Sequence, residues 1–443
     1  MVKRFIFIEK KVNIKNFNLR VFFENQYNMI IITMIYIFIF GMISQPFSQI
    51  ISGLVAILQA PDVLVTDYIH IGGFGAAMVN SSLTMLLAFF MLKIFKHEFK
   101  SGTISNIWLV AGFSLFGKNP LNVIPIWLGG WLYSRYMKQD FNKTILVTIV
   151  ATSLGPVVTV PFKLYQQNVF NNLSSSLFLS ALLGVFIGFI FEPVATNVLK
   201  VHEGFNLYNG GLTAGIIAIT ISSVYQSFGI QIDPVSLISY DYHYTIIIFS
   251  VILATFYIVV GAYLNPNIRK TLRRLLKINK RTSDYYAEFG TVVYLNMGLL
   301  VLVALGSVSL VNFFAPGTMI LHGPGLGAIL SSAGFGANGK NAPSSLSIYI
   351  GVLLAAYVAP TFTLSDPGVL TTMLFAVCLC PIPTRFGWWW GIPAGFFTLH
   401  FATSLAGPAG GMNLYNNGLA AGFVAILLYP MLLVFERRKE GTN

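Results

Sequence analysis

Apolar runs long enough to cross a bilayer, which takes about 20 residues, recur along the whole chain and are joined by short polar links. They predict spans near 29–50, 71–95, 104–117, 121–137, 143–161, 176–198 and 209–229. A second series follows near 243–263, 287–311, 318–335, 343–362, 367–382, 386–405 and 413–436. The expected fold is all-α, a polytopic helical membrane protein. The runs 104–117 and 121–137 are short. They fit two tilted spans or one re-entrant hairpin, with the same parity either way.

Two stretches of the chain recur in the same order. Residues 111–129 read AGFSLFGKNPLNVIPIWLG and 333–351 read AGFGANGKNAPSSLSIYIG, aligned at a constant offset. Further on, 206–215 reads NLYNGGLTAG and 413–422 reads NLYNNGLAAG. A weaker match joins Asn80 and Leu83 to Asn296 and Leu299. Each copy carries an odd number of segments, so consecutive copies cross in opposite senses. The chain therefore reads as a basic N-terminal extension (1–28), a membrane repeat (29–229), a second, inverted repeat (230–436) and a short tail (437–443). In inverted-repeat transporters the substrate site lies near the midplane, where interrupted helices of both copies meet.

Composition supports lipid as the main solvent: 55% of residues are hydrophobic and 9% charged, against about a quarter charged in soluble domains. The net charge of +12 raises the question of nucleic acid, and its distribution answers it. With the N-terminus in the cytoplasm, every Lys and Arg except Lys118, Lys163 and Lys340 falls on the cytoplasmic side, the densest group being Arg269 to Arg281. Outside links then hold Asp62, Asp67, Asp233, Asp241 and Asp366. This is the positive-inside pattern, with anionic lipid as a further contact and no nucleic acid. The first apolar run follows a polar, basic lead without a small-residue cleavage site, so it reads as a span and not a removed signal peptide. Cys378 and Cys380 sit within an apolar run with no second pair elsewhere, and read as small apolar filler. No metal or cofactor is expected.

The candidate chemistry lies in the repeated motifs. Gly117-Lys118-Asn119 and Gly339-Lys340-Asn341 fall at breaks between short apolar segments, with Pro120 or Pro343 close behind. Irregular backbone at membrane depth is tolerated only inside protein or beside water, and a mid-bilayer Lys costs about 2.5–3.5 kcal/mol. A pair of such corners points to two cations around a midplane cavity, against the alternative of lysines snorkelling to headgroups. Asn206, Tyr208 and Asn209, with Asn413, Tyr415 and Asn416, open apolar helices and are read as lining a permeation path; helix capping is the competing use of Asn206 and Asn413. Glu192, His202 and Glu203 have no polar counterparts in copy two, and His400 has none in copy one, so a symmetric proton relay is absent. His322-Gly-Pro-Gly reads as a helix-start turn, and Trp388 to Trp390 as an interfacial belt.

The set LFGKNP, HEGFNLYNGGLTAG, HGPGLGAILSSAGFGANGKNAP and NLYNNGLAAGF resembles a prokaryotic family of duplicated membrane proteins known as domain of unknown function 1576, over nearly the whole chain after the extension. That resemblance implies a class and no substrate. Asn119-Pro120-Leu121 and Tyr208-Asn209-Gly210 also resemble elements of urea transporters, which are inverted repeats too. The expected function is non-enzymatic: a permease, transporter or channel, in the cytoplasmic membrane with both termini inside. Its expected partners are the lipid bilayer and a small polar or anionic solute, with homo-oligomerisation left open. The alternatives are a membrane-embedded enzyme acting on a lipid-linked substrate, for which no nucleophile or metal cluster is visible, and a non-transporting scaffold or sensor.

Overall fold

A computed structural model describes residues 18–60, 62–63, 65–232, 236–279 and 284–440. Lys3, Arg4, Lys10, Lys11 and Lys15 of the extension, with Asp233, Lys280 and Arg281, lie outside the described residues. Among the described residues, the α-helices of the first half are α1 (Leu19–Glu24), α2 (Gln26–Ser44), α3 (Phe47–Leu58), α4 (Tyr68–Ile94), α5 (Ser101–Phe113), α6 (Pro120–Tyr136), α7 (Ile145–Ala151), α8 (Gly155–Gln166), α9 (Leu173–His202) and α10 (Asn209–Ser227). Those of the second half are α11 (His243–Leu264), α12 (Ile268–Leu276), α13 (Tyr285–Phe289), α14 (Val292–Phe314), α15 (Gly323–Gly334), α16 (Ala342–Val358), α17 (Pro367–Phe375), α18 (Pro381–Phe386), α19 (Gly391–Ala406) and α20 (Asn416–Glu440). Among the described residues, seven helices are long and apolar enough to cross a membrane. The protein is a polytopic helical membrane protein of two inverted repeats.

Corresponding residues break corresponding helices. Gly73 takes φ +82° and splits the start of α4 from its long remainder; Gly290 takes φ +60° and separates α13 from α14. Each corner glycine is also in the region that favours Gly, Gly117 at +143° and Gly339 at +96°. The expected first span, 29–50, is observed as a longer pair of helices, Gln26–Ser44 and Phe47–Leu58. Pro46 ends α2 and starts α3, and this bent pair runs along α4. Close backbone approach is what the glycines provide, since a Cβ on Gly53 would lie 2.2 Å from the Gly72 carbonyl oxygen.

The short segments form helical hairpins. α5 starts six residues after Phe95, and α6 ends just before Phe141, whose ring packs edge-on against Phe95 at 4.7 Å. Both ends of the first hairpin therefore lie at one face. Its tip reaches the start of α4, where the Leu115 carbonyl accepts from the Tyr68 amide. α5 has 13 residues, about 20 Å of helix, so the hairpin penetrates deeply. In the second hairpin, α15 enters from the opposite face. α16 returns parallel to α19, as the Gly391–Ser347 and Gly395–Val352 contacts show.

The two inbound helices lie side by side and antiparallel: a Cβ on Gly112 would meet the Gly327 carbonyl oxygen at 2.3 Å, and one on Gly334 would meet Trp108. α10 and α20 cross where Gly211 meets Gly418, corresponding residues of the two copies. Residues that contact their own equivalents lie on the pseudo-twofold axis, so the centre of the molecule is this glycine crossing beside the α5–α15 pair.

Candidate functional site

Each corner is clamped by one asparagine of a long helix. Asn80 donates to the carbonyls of Ser114 and Lys118 at 2.7 and 2.9 Å; Asn296 donates to those of Gly336 and Lys340 at 2.7 and 2.8 Å. The weak sequence match between these asparagines thus marks equivalent structural work.

From the clamped corners both lysine side chains run inward and are fully buried, at 0% exposure. Neither forms an ion pair with a carboxylate among the described residues. Lys118 Nζ instead donates to the Tyr415 hydroxyl at 2.5 Å, and Lys340 Nζ to the Tyr208 hydroxyl at 2.7 Å and Ser332 Oγ at 3.3 Å. The lysine of each repeat is held by the tyrosine of the other. Aromatic faces complete the surroundings. Lys118 Nζ lies 4.6 Å from the Tyr415 centroid and 5.5 Å from Phe113; Lys340 Nζ lies 4.4 Å from Tyr208 and 5.0 Å from Phe335. Desolvated cation–π contacts contribute about 0.5–2 kcal/mol each, and a hydrogen bond to a charged group about 1.5–3 kcal/mol. Together they match the cost of about 2.5–3.5 kcal/mol for a lysine at membrane depth.

The predicted asparagines have backbone duties. Asn119 and Asn341 turn away from the ammoniums and cap the returning helices, accepting from Leu121 and Asn122 amides and from the Ser344 amide. Their amide groups meet Tyr68 at 3.2 Å and Tyr285 at 3.3 Å. Asn206 and Asn413 reach across the axis to the carbonyls of Gly418 and Gly211. Asn209 holds the Ala195 carbonyl and Asn416 the Ala402 carbonyl. The polar entrance expected from these residues is thus mostly a set of equivalent clamps. Buried Asn416 and Asn417 side-chain oxygens remain unpartnered.

Two acidic residues assigned to outside links are buried. Asp62 accepts from Tyr68 at 2.5 Å and from Asn119 and Asn122 at 3.2 and 3.0 Å, and burial pushes its carboxyl up to about 8 despite these donors. Asp67 caps its own helix through the Ile69 amide and also accepts from Gly323, the first residue of α15 in the other repeat. At the opposite face Asp284 accepts from Ser101, the first residue of α5. His322 caps α15 as the helix-start reading expects. Glu192 is partly exposed with Thr196 as a partner, and His202 pairs with Asn209.

Two cavities lie near the lysine–tyrosine layer, one lined by Tyr208 and Tyr415 and the other reaching Phe375 and Leu414 beside them. One, about 170 Å³, is lined by Asn106, Leu146, Val150, Ala195, Tyr208, Asn209, Gly210, Asn338 and Tyr415, among others. The other, about 320 Å³, is lined by residues that include Phe116, Thr371, Phe375, Ala402, Leu414, Asn416 and Asn417. Copy equivalence links them: Ala195 with Ala402, Asn209 with Asn416 and Gly210 with Asn417 at the motif offset, and Asn338 with Phe116 at the corner offset. The first cavity lies toward the start of α5 and the second toward the start of α15, which enter from opposite faces.

Tyr68, Tyr285, Asp62 and Phe375 have no sequence signal that separates them from their neighbours. Phe113 and Phe335 had one, because both stand in the repeated Ala-Gly-Phe. No curated protein and no solved structure matches the chain, so the urea-transporter likeness rests on its short elements alone. A family model described as protein of unknown function (DUF1576) matches residues 45–227 and 264–434, and the chain belongs to that family.

Proposed function

We propose that the protein is a permease for a small polar or anionic solute, with its path running between the repeats through the lysine–tyrosine layer. The observation that carries this reading is the pair of copy-equivalent cavities on opposite sides of the two buried lysines, the smaller one reaching Tyr208 and Tyr415, which hold the lysine ammoniums. Lys118 and Lys340 would supply positive potential to a solute arriving from either side, and the tyrosine hydroxyls and free Asn416 and Asn417 oxygens would supply polar contacts. The face bearing Lys93, Lys96, Lys100 and Arg269 to Lys277 is the cytoplasmic one on this reading, with the C-terminal helix end on that side.

A closed structural lock is the second reading. It is favoured by the complete burial of both lysines and by Tyr208 and Tyr415 at 4% and 3% exposure. Reconstitution into vesicles separates the two. Replacing both lysines with Met abolishes or reverses anion-selective flux if they face the solute. Unchanged flux and selectivity with folded protein removes their role.

A further inference from the structure

The two cavities are equivalent in most of their lining, and one position breaks the equivalence. The amide of Leu207 donates to the Cys378 carbonyl, and the amide of Leu414 donates to the Ser153 carbonyl. Leu207 and Leu414 are equivalent, so Ser153 and Cys378 are too. Three residues earlier on each strand of chain stand Val150 in the first copy and Phe375 in the second. Both line their own cavity.

Phe375 does more than fill its side. Its ring stacks on Phe113 at 5.0 Å and lies 6.2 Å from Tyr208. Phe113 in turn sits 4.1 Å from Tyr415, and Phe335 4.9 Å from Tyr208. Two equivalent clusters, each a lysine caged by Phe and Tyr, are thereby joined through one ring that has no aromatic counterpart. Without it, a valine-sized side chain would leave a gap between the two cavities at the level of the lysines.

We infer that Phe375 is the gate of the pathway, the side chain that closes the larger vestibule off from the lysine layer, so that the two vestibules connect only when its ring moves aside. This rests on the permease reading. Movement of the Phe375 ring off Phe113 joins the larger vestibule to the lysine layer; the Val150 side has no comparable plug and is limited by its narrower cavity.

Sidedness of labelling tests it without knowledge of the solute. Thr371→Cys and Leu146→Cys are equivalent, half-buried reporters, one in each vestibule. The native Cys378 and Cys380 are fully buried and serve as the unlabelled background. A membrane-impermeant anionic methanethiosulfonate, added to one side of oriented vesicles, should label each reporter from its own face only. Adding Phe375→Val should make both reporters reactive from both faces. Retained one-sided labelling in folded Phe375→Val protein overturns the gate and leaves the permease reading standing. If neither reporter reacts from any face while Lys277→Cys does, the permease reading itself fails. Should Phe375→Val not fold, Val150→Phe is the second probe. A ring there fills the smaller vestibule and should suppress labelling of Leu146→Cys from its own face; unchanged labelling overturns the assignment.

Discussion

The exchange of lysine and tyrosine between repeats predicts a specific energetic coupling. Tyr415→Phe keeps the ring over Lys118 and removes only the hydroxyl that accepts from Nζ at 2.5 Å. Loss of a hydrogen bond to a buried charge costs about 1.5–3 kcal/mol, so Tyr415→Phe alone should destabilise by that amount. Lys118→Met removes the charge and fills a similar volume but strands the buried Tyr415 hydroxyl, at a cost of about 1–3 kcal/mol. The double variant removes both partners and should be close to neutral. The expected coupling is about 1.5 kcal/mol or more. The Lys340–Tyr208 pair should couple less, because Ser332 Oγ remains as a second acceptor at 3.3 Å. Equilibrium unfolding in mixed detergent can be followed with a thiol-reactive fluorophore, since Cys378 and Cys380 are fully buried in the folded state. Additivity to within about 0.3 kcal/mol for Lys118 and Tyr415 would refute the claim that the hydroxyl supports the ammonium.

Other outcomes follow from single features. Gly112→Ala places a methyl 2.3 Å from the Gly327 carbonyl oxygen and should destabilise by about 1–3 kcal/mol through overpacking; Gly368→Ala, with nothing within 4 Å, is the neutral control in the same unfolding assay. Asn296→Ala strands the buried carbonyls of Gly336 and Lys340 and should cost about 2 kcal/mol or more, with a matching loss for Asn80→Ala. Asp62 titrates at about 8 in the fold against about 3.9 in an unfolded chain, so the native state binds the extra proton. Its contribution to stability is complete below about pH 4 and is lost as pH rises through about 8. Melting at pH 5 and pH 8.5 should show this decline, and Asp62→Asn should flatten it; an unaltered slope in that variant would assign the decline elsewhere.

Much of the architecture was legible because membrane helices announce themselves by run length, and because duplication prints each structural device twice. The corner motifs Gly117-Lys118-Asn119 and Gly339-Lys340-Asn341 fall at real backbone breaks, as Gly and the following Pro imply. The short runs 104–117 and 121–137 form an antiparallel pair whose outer ends meet where Phe95 packs on Phe141, an arrangement that two tilted spans and a re-entrant hairpin share. Side-chain direction was not legible. Lys118 meets a tyrosine 297 residues away, whereas its neighbour Asn119 turns to cap α6 and touches Tyr68; adjacent residues at a break point to different parts of the fold. Asp62 and Asp67 lie between two apolar runs and so read as outside acids. Local donors from Tyr68, Asn119, Asn122 and the start of α15 draw them into the protein instead.

The aspartates at the two helix starts carry a consequence for how such a chain could arise. Asp67 of the first repeat completes the entry of α15, and Asp284 of the second completes that of α5. Neither half owns all the parts of its own hairpin. A lone unit of half this length would need a second copy inserted upside down beside it to satisfy the same groups, so fusion of two oppositely oriented copies preserves an arrangement that separate polypeptides would have had to assemble by encounter in the bilayer. Co-expression of the two halves as separate chains should then recover a folded complex, whereas either half by itself should be degraded.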